Sequence, residues 1–159
     1  MDDPLFTRRV SQELKLLAEL KWLQFEVINL HELHVSFRGL KDSDYQDGIY
    51  HIQIVLPKEY PLKAPDIIFM NESGRFIPFK RICLNFSSFH PEAWTPSVTL
   101  SNLISALRLF MLVDAPGVGC EIKPSEIRKS LAKRSTIFYC SKCKMNHFPL
   151  KKTLVDLHK

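Results

Sequence analysis

Between Gly74 and Pro96 the chain reads Gly-Arg-Phe-Ile-Pro-Phe-Lys-Arg-Ile-Cys-Leu-Asn-Phe-Ser-Ser-Phe-His-Pro-Glu-Ala-Trp-Thr-Pro, which sets a single thiol, Cys83, between two turn-forming stretches. No second cysteine lies within thirty residues of it. A thiol carried on irregular backbone, remote from any bridging or metal-binding partner, suits a nucleophile. Free cysteine is also a common core residue, so packing alone is the competing account. His90 lies on the same stretch. Its ordinary pKa, near ~6.5, lets an imidazole move a proton or donate a hydrogen bond at neutral pH, although before Pro91 it could instead fix the turn. Farther on, Cys140-Ser-Lys-Cys143 followed by His147 has the spacing of half a zinc site. A structural zinc takes four ligands, and no partner pair is evident, so no metal is expected.

These residues need a scaffold, and the hydrophobic periodicity supplies one. Asp2 and Asp3 before Pro4 mark a helix start, and Val10, Leu14 and Leu17 recur at helical spacing, predicting an amphipathic helix over residues 4 to 20. The period then shortens to two: Leu33, Val35 and Phe37 alternate with His34, Ser36 and Arg38, and Tyr50, Ile52, Ile54 and Leu56 with His51, Gln53 and Val55. With residues 22 to 29 before them and 66 to 70 after, these predict a four-stranded antiparallel meander. The Gly39 to Gly48 and Pro57 to Pro65 connections are turns; prolines in the second deny the backbone donors a strand needs. Thr99 or Ser101 caps a core helix carrying Leu100, Leu103, Ile104, Leu107 and Met111. Ala115-Pro116-Gly117 breaks it, and Pro124-Ser125 opens a last helix to about Lys133. On this pattern His31, His34 and His51 are surface or rim residues, and Trp22 packs at the helix-sheet junction. The fold class is α+β.

A chain of 159 residues fits one domain with one core, and 45% hydrophobic with 25% charged residues is ordinary globular composition. The net charge of +5 raises a nucleic-acid reading, but the basic residues fall in separate patches without an interleaved aromatic signature, and acidic protein partners suit them better. Four cysteines are too few for a disulfide scaffold, and Met-Asp-Asp-Pro lacks the basic and apolar regions of a signal peptide, so reduced thiols in the cytosol are expected. The apolar tract Leu103 to Val113, interrupted by Arg108, falls short of the ~20 residues that cross a bilayer.

The order of several blocks, Asp42-Ser43-Asp44-Tyr45, Gly48 with Tyr50, Leu56-Pro57-Lys58-Glu59-Tyr60-Pro61 with Pro65, Gly74-Arg75-Phe76, Ile82-Cys83-Leu84 and His90-Pro91-Glu92-Ala93-Trp94-Thr95-Pro96, resembles ubiquitin-conjugating enzymes. Within that family the likeness is to the atypical J-type branch associated with the endoplasmic reticulum, many of whose members are tail-anchored. The resemblance implies a catalytic domain at 1–139 with a basic extension at 140–159. It implies that Cys83 accepts ubiquitin as a thioester from an activating enzyme and passes it to a substrate lysine with a RING-type ligase, in protein quality control at the reticulum. No cofactor is implied, and nucleic acid is not a partner. The location implied is the cytosolic face of the reticulum where an anchor follows, and the cytoplasm otherwise.

The same resemblance frames the chemistry. Lys80 and Arg81 would lower the Cys83 pKa modestly, and no triad is needed because the carbonyl arrives activated. The oxyanion donor in ordinary members is the Asn of His-Pro-Asn, which is absent; the branch has Asn-Gly-Arg-Phe, where this chain has Ser73-Gly74-Arg75-Phe76 with Asn71 just before. Ser73, Asn71 or backbone N–H groups are the candidates for that role. The eleven positions from Cys83 to Trp94 form a longer flap than in most members, and it carries His90. Ligase contacts map to Leu62, Pro96 and Ser97, and the activating enzyme's acidic module to Arg8, Arg9 and Lys15. A catalytically inactive variant that only binds ubiquitin or a ligase is the alternative.

Overall fold

The computed structural model describes residues 3–82 and 93–155. Helix α1 runs Pro4–Ala18, its first free N–H (Leu5) accepted by the Asp3 carboxylate at 2.9 Å, with Pro4 where a missing donor costs nothing. Strands β1 (Leu23–Asn29), β2 (Glu32–Arg38), β3 (Ile49–Val55) and β4 (Asp66–Phe69) pair antiparallel in sequence order, as the alternation predicts. Helix α2 spans Leu100–Phe110 and is capped by Thr99, whose hydroxyl accepts from the Asn102 N–H. It closes earlier than the Ala115 break, because the Leu112 and Val113 N–H groups turn to carbonyls three residues back. Helix α3 covers Ser125–Ser135. A fourth helix, α4 (His147–Thr153), lies beyond the expected elements; Asn146 caps it by accepting from the Phe148 N–H at 3.0 Å. Among the described residues no helix is long and apolar enough to cross a membrane.

Register determines which residues share a face. Leu33, Val35 and Phe37 stand opposite Ile54, Ile52 and Tyr50, and with Ile67 and Phe69 they form one face of the sheet. That face joins Phe6, Val10 and Leu17 of α1 and Leu100, Leu103, Ile104 and Leu107 of α2 in a single core. Trp22 belongs to the same core, with the Arg108 guanidinium 4.2 Å over its ring.

The opposite face bears Glu32, His34, Ser36, Ile49, His51 and Gln53, and here the rim reading of the histidines needs correction. His34 and His51 are fully buried. The chain from Ser135 onward folds back over them: the Phe138 ring lies 5.3 Å from that of His51, the Arg38 guanidinium donates to the Lys151 carbonyl, and the Val155 N–H donates to the Lys21 carbonyl. Residues 140–155, expected as an extension, thus form part of a second layer on the sheet. His31 is partly buried and stacks on Phe6 at 4.5 Å.

Candidate active site

Cys83 and His90 lie outside the described residues, but the chain on either side of them is fixed. Beyond β4, Asn71 acts as a strand residue made from a side chain: its Oδ1 accepts from the His51 N–H at 2.9 Å and its Nδ2 donates to the Ile49 carbonyl at 3.0 Å. Ser73 closes the next turn, its Oγ accepting from the Arg75 and Phe76 N–H groups, each at 3.1 Å. Gly74 has φ of +78°, a left-handed backbone that favours glycine, and a Cβ there would press on the Arg128 side chain, 3.0 Å from its Cγ. Both candidate oxyanion side chains are therefore engaged with the main chain, in a turn whose carbonyls at Gly74 and Arg75 accept from Lys123 and Glu121.

Arg75 is wholly buried, with its guanidinium carbon 4.7 Å from the Phe76 ring centre and 4.9 Å from that of Phe110. Among the described residues its nitrogens have no hydrogen-bond partner, so the two ring faces are what offset desolvation of the charge. From this turn the backbone returns along β4: Phe79 and Ile82 donate to the Phe69 and Ile67 carbonyls, and Arg81 bridges to Ile68. Ile82, adjacent to Cys83, is 1% exposed, while Lys80 and Arg81 reach outward, Arg81 pairing with Asp66 at 3.5 Å. On the far side Trp94 is buried, its indole N–H donating to the Pro61 carbonyl at 2.7 Å and its ring 6.3 Å from Tyr60. The segment holding Cys83 and His90 is thus anchored at both ends.

The Trp94–Pro61 bond also brings the expected ligase loops together. Leu62 is 74% exposed, and Pro96 and Ser97 lie on the neighbouring turn with Pro96 exposed, so apolar surface is available on both. On α1 the three basic residues separate. Arg8 and Lys15 are exposed, whereas Arg9 is turned inward: it donates to Glu13 at 3.0 Å and to the Val98 carbonyl at 3.1 Å, and lies over Tyr60. Glu13, which the sequence reading leaves out, is 2% exposed and accepts from the Leu100 N–H at 2.6 Å, joining α1 to the start of α2. The i,i+4 spacing of Arg9 and Glu13 is the signal for this pair.

A family model described as ubiquitin-conjugating enzyme matches residues 9–119, and the chain belongs to that family. The similarity lies with the J-type branch: ubiquitin-conjugating enzyme E2 J1 from Mus musculus and from Homo sapiens are each 44% identical over 116 residues, 72% of this chain and 36% of theirs. Ubiquitin-conjugating enzyme E2 32 of Arabidopsis thaliana is 32% identical over 146 residues, 85% of this chain and 47% of its own. The chain therefore spans less than half the length of these relatives.

Proposed function

We propose that this chain carries ubiquitin as a thioester on Cys83 and delivers it to amines on substrate proteins. In the first step the Cys83 thiolate attacks the carbonyl carbon of ubiquitin's C-terminal glycine and expels the activating enzyme's thiolate. In the second, an amine attacks the same carbon, loses a proton and expels Cys83. A thiol of ordinary pKa near ~8.5 is a few per cent thiolate at neutral pH, enough for a carbonyl that is already activated. The observation that carries the reading is the anchoring of this segment at Ile82 and Trp94 within a chain of this family.

The remaining roles follow from placement. Asn71 and Ser73 brace the turn before the nucleophile, which favours main-chain N–H groups as the oxyanion donors. His90 accepts the proton of the attacking group. Leu62, Pro96 and Ser97 meet a RING-type ligase, and Arg8 with Lys15 meets the acidic module of the activating enzyme. Action at the cytosolic face of the endoplasmic reticulum, in quality control, rests on the likeness of Gly74-Arg75-Phe76 and of the long Cys83 to Trp94 spacing to that branch, and on the J-type relatives.

The test is a charging reaction with ubiquitin, activating enzyme and ATP read on a non-reducing gel. The parent should form an adduct cleaved by thiols; Cys83→Ser should form one resistant to thiols and cleaved by hydroxylamine. His90→Ala should slow discharge to amines more than loading. A folded parent chain that forms no reducible adduct would instead indicate a binding module without catalysis.

A further inference from the structure

Four side chains from two distant parts of the chain converge on one point beneath the C-terminal layer. His34 and His51 come from β2 and β3, and Cys140 and Cys143 from the turn before α4. Their ligand atoms all lie within 4.8 Å of one another. Individual separations are 3.2 Å for His34 Nδ1 to His51 Nε2, 3.6 Å for Cys140 Sγ to His34 Nδ1, and 3.5 Å for Cys143 Sγ to His51 Nε2. A tetrahedral zinc with Zn–N of about 2.0–2.1 Å and Zn–S of about 2.3 Å requires about 3.3 Å between nitrogens and about 3.6 Å between nitrogen and sulfur. The three separations match.

The surrounding hydrogen bonds determine where the ring protons are. His147 Nδ1 faces the Ser135 carbonyl at 2.8 Å and must donate to it, which in the neutral ring leaves His147 Nε2 bare. Ser36 therefore gives its one proton to that nitrogen at 2.7 Å. His51 Nδ1, 2.7 Å from the same oxygen, can then only donate to it, which in the neutral ring leaves Nε2 bare. His34 Nε2 donates to the Glu32 carboxylate at 2.8 Å, so its free lone pair is on Nδ1. Two lone pairs thus face each other at 3.2 Å, with Cys140 Sγ beside one and Cys143 Sγ beside the other, so that either thiol protons or one shared cation would satisfy them. A shared proton would serve the nitrogens alone, whereas the two sulfurs converging there suit a soft divalent metal.

We propose that His34 Nδ1, His51 Nε2, Cys140 Sγ and Cys143 Sγ bind a structural Zn2+ ion that fastens the C-terminal layer to the back of the sheet. Four protein ligands close the coordination sphere, which makes the site structural. Two thiolates balance the charge of the ion, as a buried site requires. Each imidazole is oriented through its other nitrogen, His34 by Glu32 and His51 by Ser36. Tight backbone curls the Cys-x-x-Cys turn around the site. Lys144 takes φ of +67° and donates to the Cys140 carbonyl, and the Cys140 N–H donates to that of Met145. Cys143 is only partly buried, which leaves a way in. The sequence showed half of this site, and the strands provide the other half.

The experiment uses the reduced chain without a polyhistidine tag. Elemental analysis after desalting should find about one zinc per chain, and Co2+ added to chelator-treated protein should give intense tetrahedral d–d bands with a thiolate charge-transfer band. Alkylation should spare Cys140 and Cys143 until a chelator is added. Ser36→Ala, which keeps all four ligands and removes the acceptor of His51 together with the donor to His147, should weaken cobalt binding about 10–100-fold. Cys143→Ser should abolish the tetrahedral spectrum, and Cys120→Ser should leave it intact. If the ligand variants do not fold, the parent protein decides. A folded, reduced parent holding less than about 0.1 zinc per chain and giving no tetrahedral cobalt spectrum overturns the proposal, as does a Cys140–Cys143 disulfide in parent protein isolated without reductant or a tetrahedral signal unchanged in folded Cys143→Ser. Loss of charging at Cys83 leaves all of these readouts unaffected.

Discussion

Replacing Glu13 by alanine should cost about 2–4 kcal/mol of folding free energy, because one buried carboxylate serves two helices. Its Oε2 accepts from Leu100, the first residue of α2, and a first-turn N–H has no partner within its own helix. Loss of a hydrogen bond to a charged acceptor at a buried donor is worth about 1.5–3 kcal/mol, with up to about 1 kcal/mol more from removing a negative charge at a helix N-terminus. The Arg9 pair adds at most about 1 kcal/mol, since Arg9 is 21% exposed and keeps its bond to Val98. For a domain of this size that corresponds to a fall in Tm of roughly 4–16 °C. Glu13→Gln separates the contributions: its amide oxygen can still accept from Leu100, so about 1–2 kcal/mol is expected. Urea unfolding followed by circular dichroism should show the midpoint fall with an unchanged slope. A cost below about 0.5 kcal/mol for the alanine variant, the level of an unremarkable surface change, would refute the helix-joining role.

Gly119 has φ of +79° and a Cβ there would lie 2.3 Å from the Arg81 carbonyl oxygen, so Gly119→Ala should cost about 1–3 kcal/mol and, by displacing the residues next to Cys83, slow ubiquitin loading in a charging time course. Leu62→Arg should leave the melting temperature and loading unchanged while weakening ligase binding by about 1–2 kcal/mol, roughly 5–30-fold in a titration; unchanged binding would place the ligase elsewhere. Burial raises the Tyr45 phenol to about 12, and Tyr50 and Tyr60 are raised as well, so their contribution is complete below the unfolded value near ~10 and is lost as pH rises through 12. Tyr45 alone is worth about 2–3 kcal/mol, and phenolate absorbance from these three should appear together with loss of the fold; their ionisation in an intact fold would contradict it.

The elements on the core side of the sheet were legible because their signals are local. The alternation of Leu33, Val35 and Phe37, the Asp3-Pro4 start and the Thr99 cap each specify structure within a few residues of themselves. Asn71 was ambiguous for the opposite reason. An amide before a turn can serve a reacting oxyanion or a strand edge, and what decides is the backbone of Ile49 and His51, some twenty residues earlier. Arg9 and Arg8 look alike in sequence; only the packing of α1 on α2 turns one inward.

The outward positions of β2 and β3 show where the alternation rule stops. It correctly sets His34, Ser36 and Arg38 on the face away from the core, but that face is not solvent. The chain that covers it arrives 106 residues after His34, carried by a Cys-x-x-Cys turn and by α4, whose Asn146 cap is a local signal although its burial partners are distant. A solvated strand face has no need to specify ring tautomers, yet here Glu32, Ser36, Ser135 and His147 fix the protons of both imidazoles. Such a network stabilises a fold only when every member is satisfied, and in this one the two inward nitrogens meet each other and the sulfurs of Cys140 and Cys143. The same four side chains that account for histidines buried on a strand face tie that face to residues 140–143, beyond the family's matched region of 9–119.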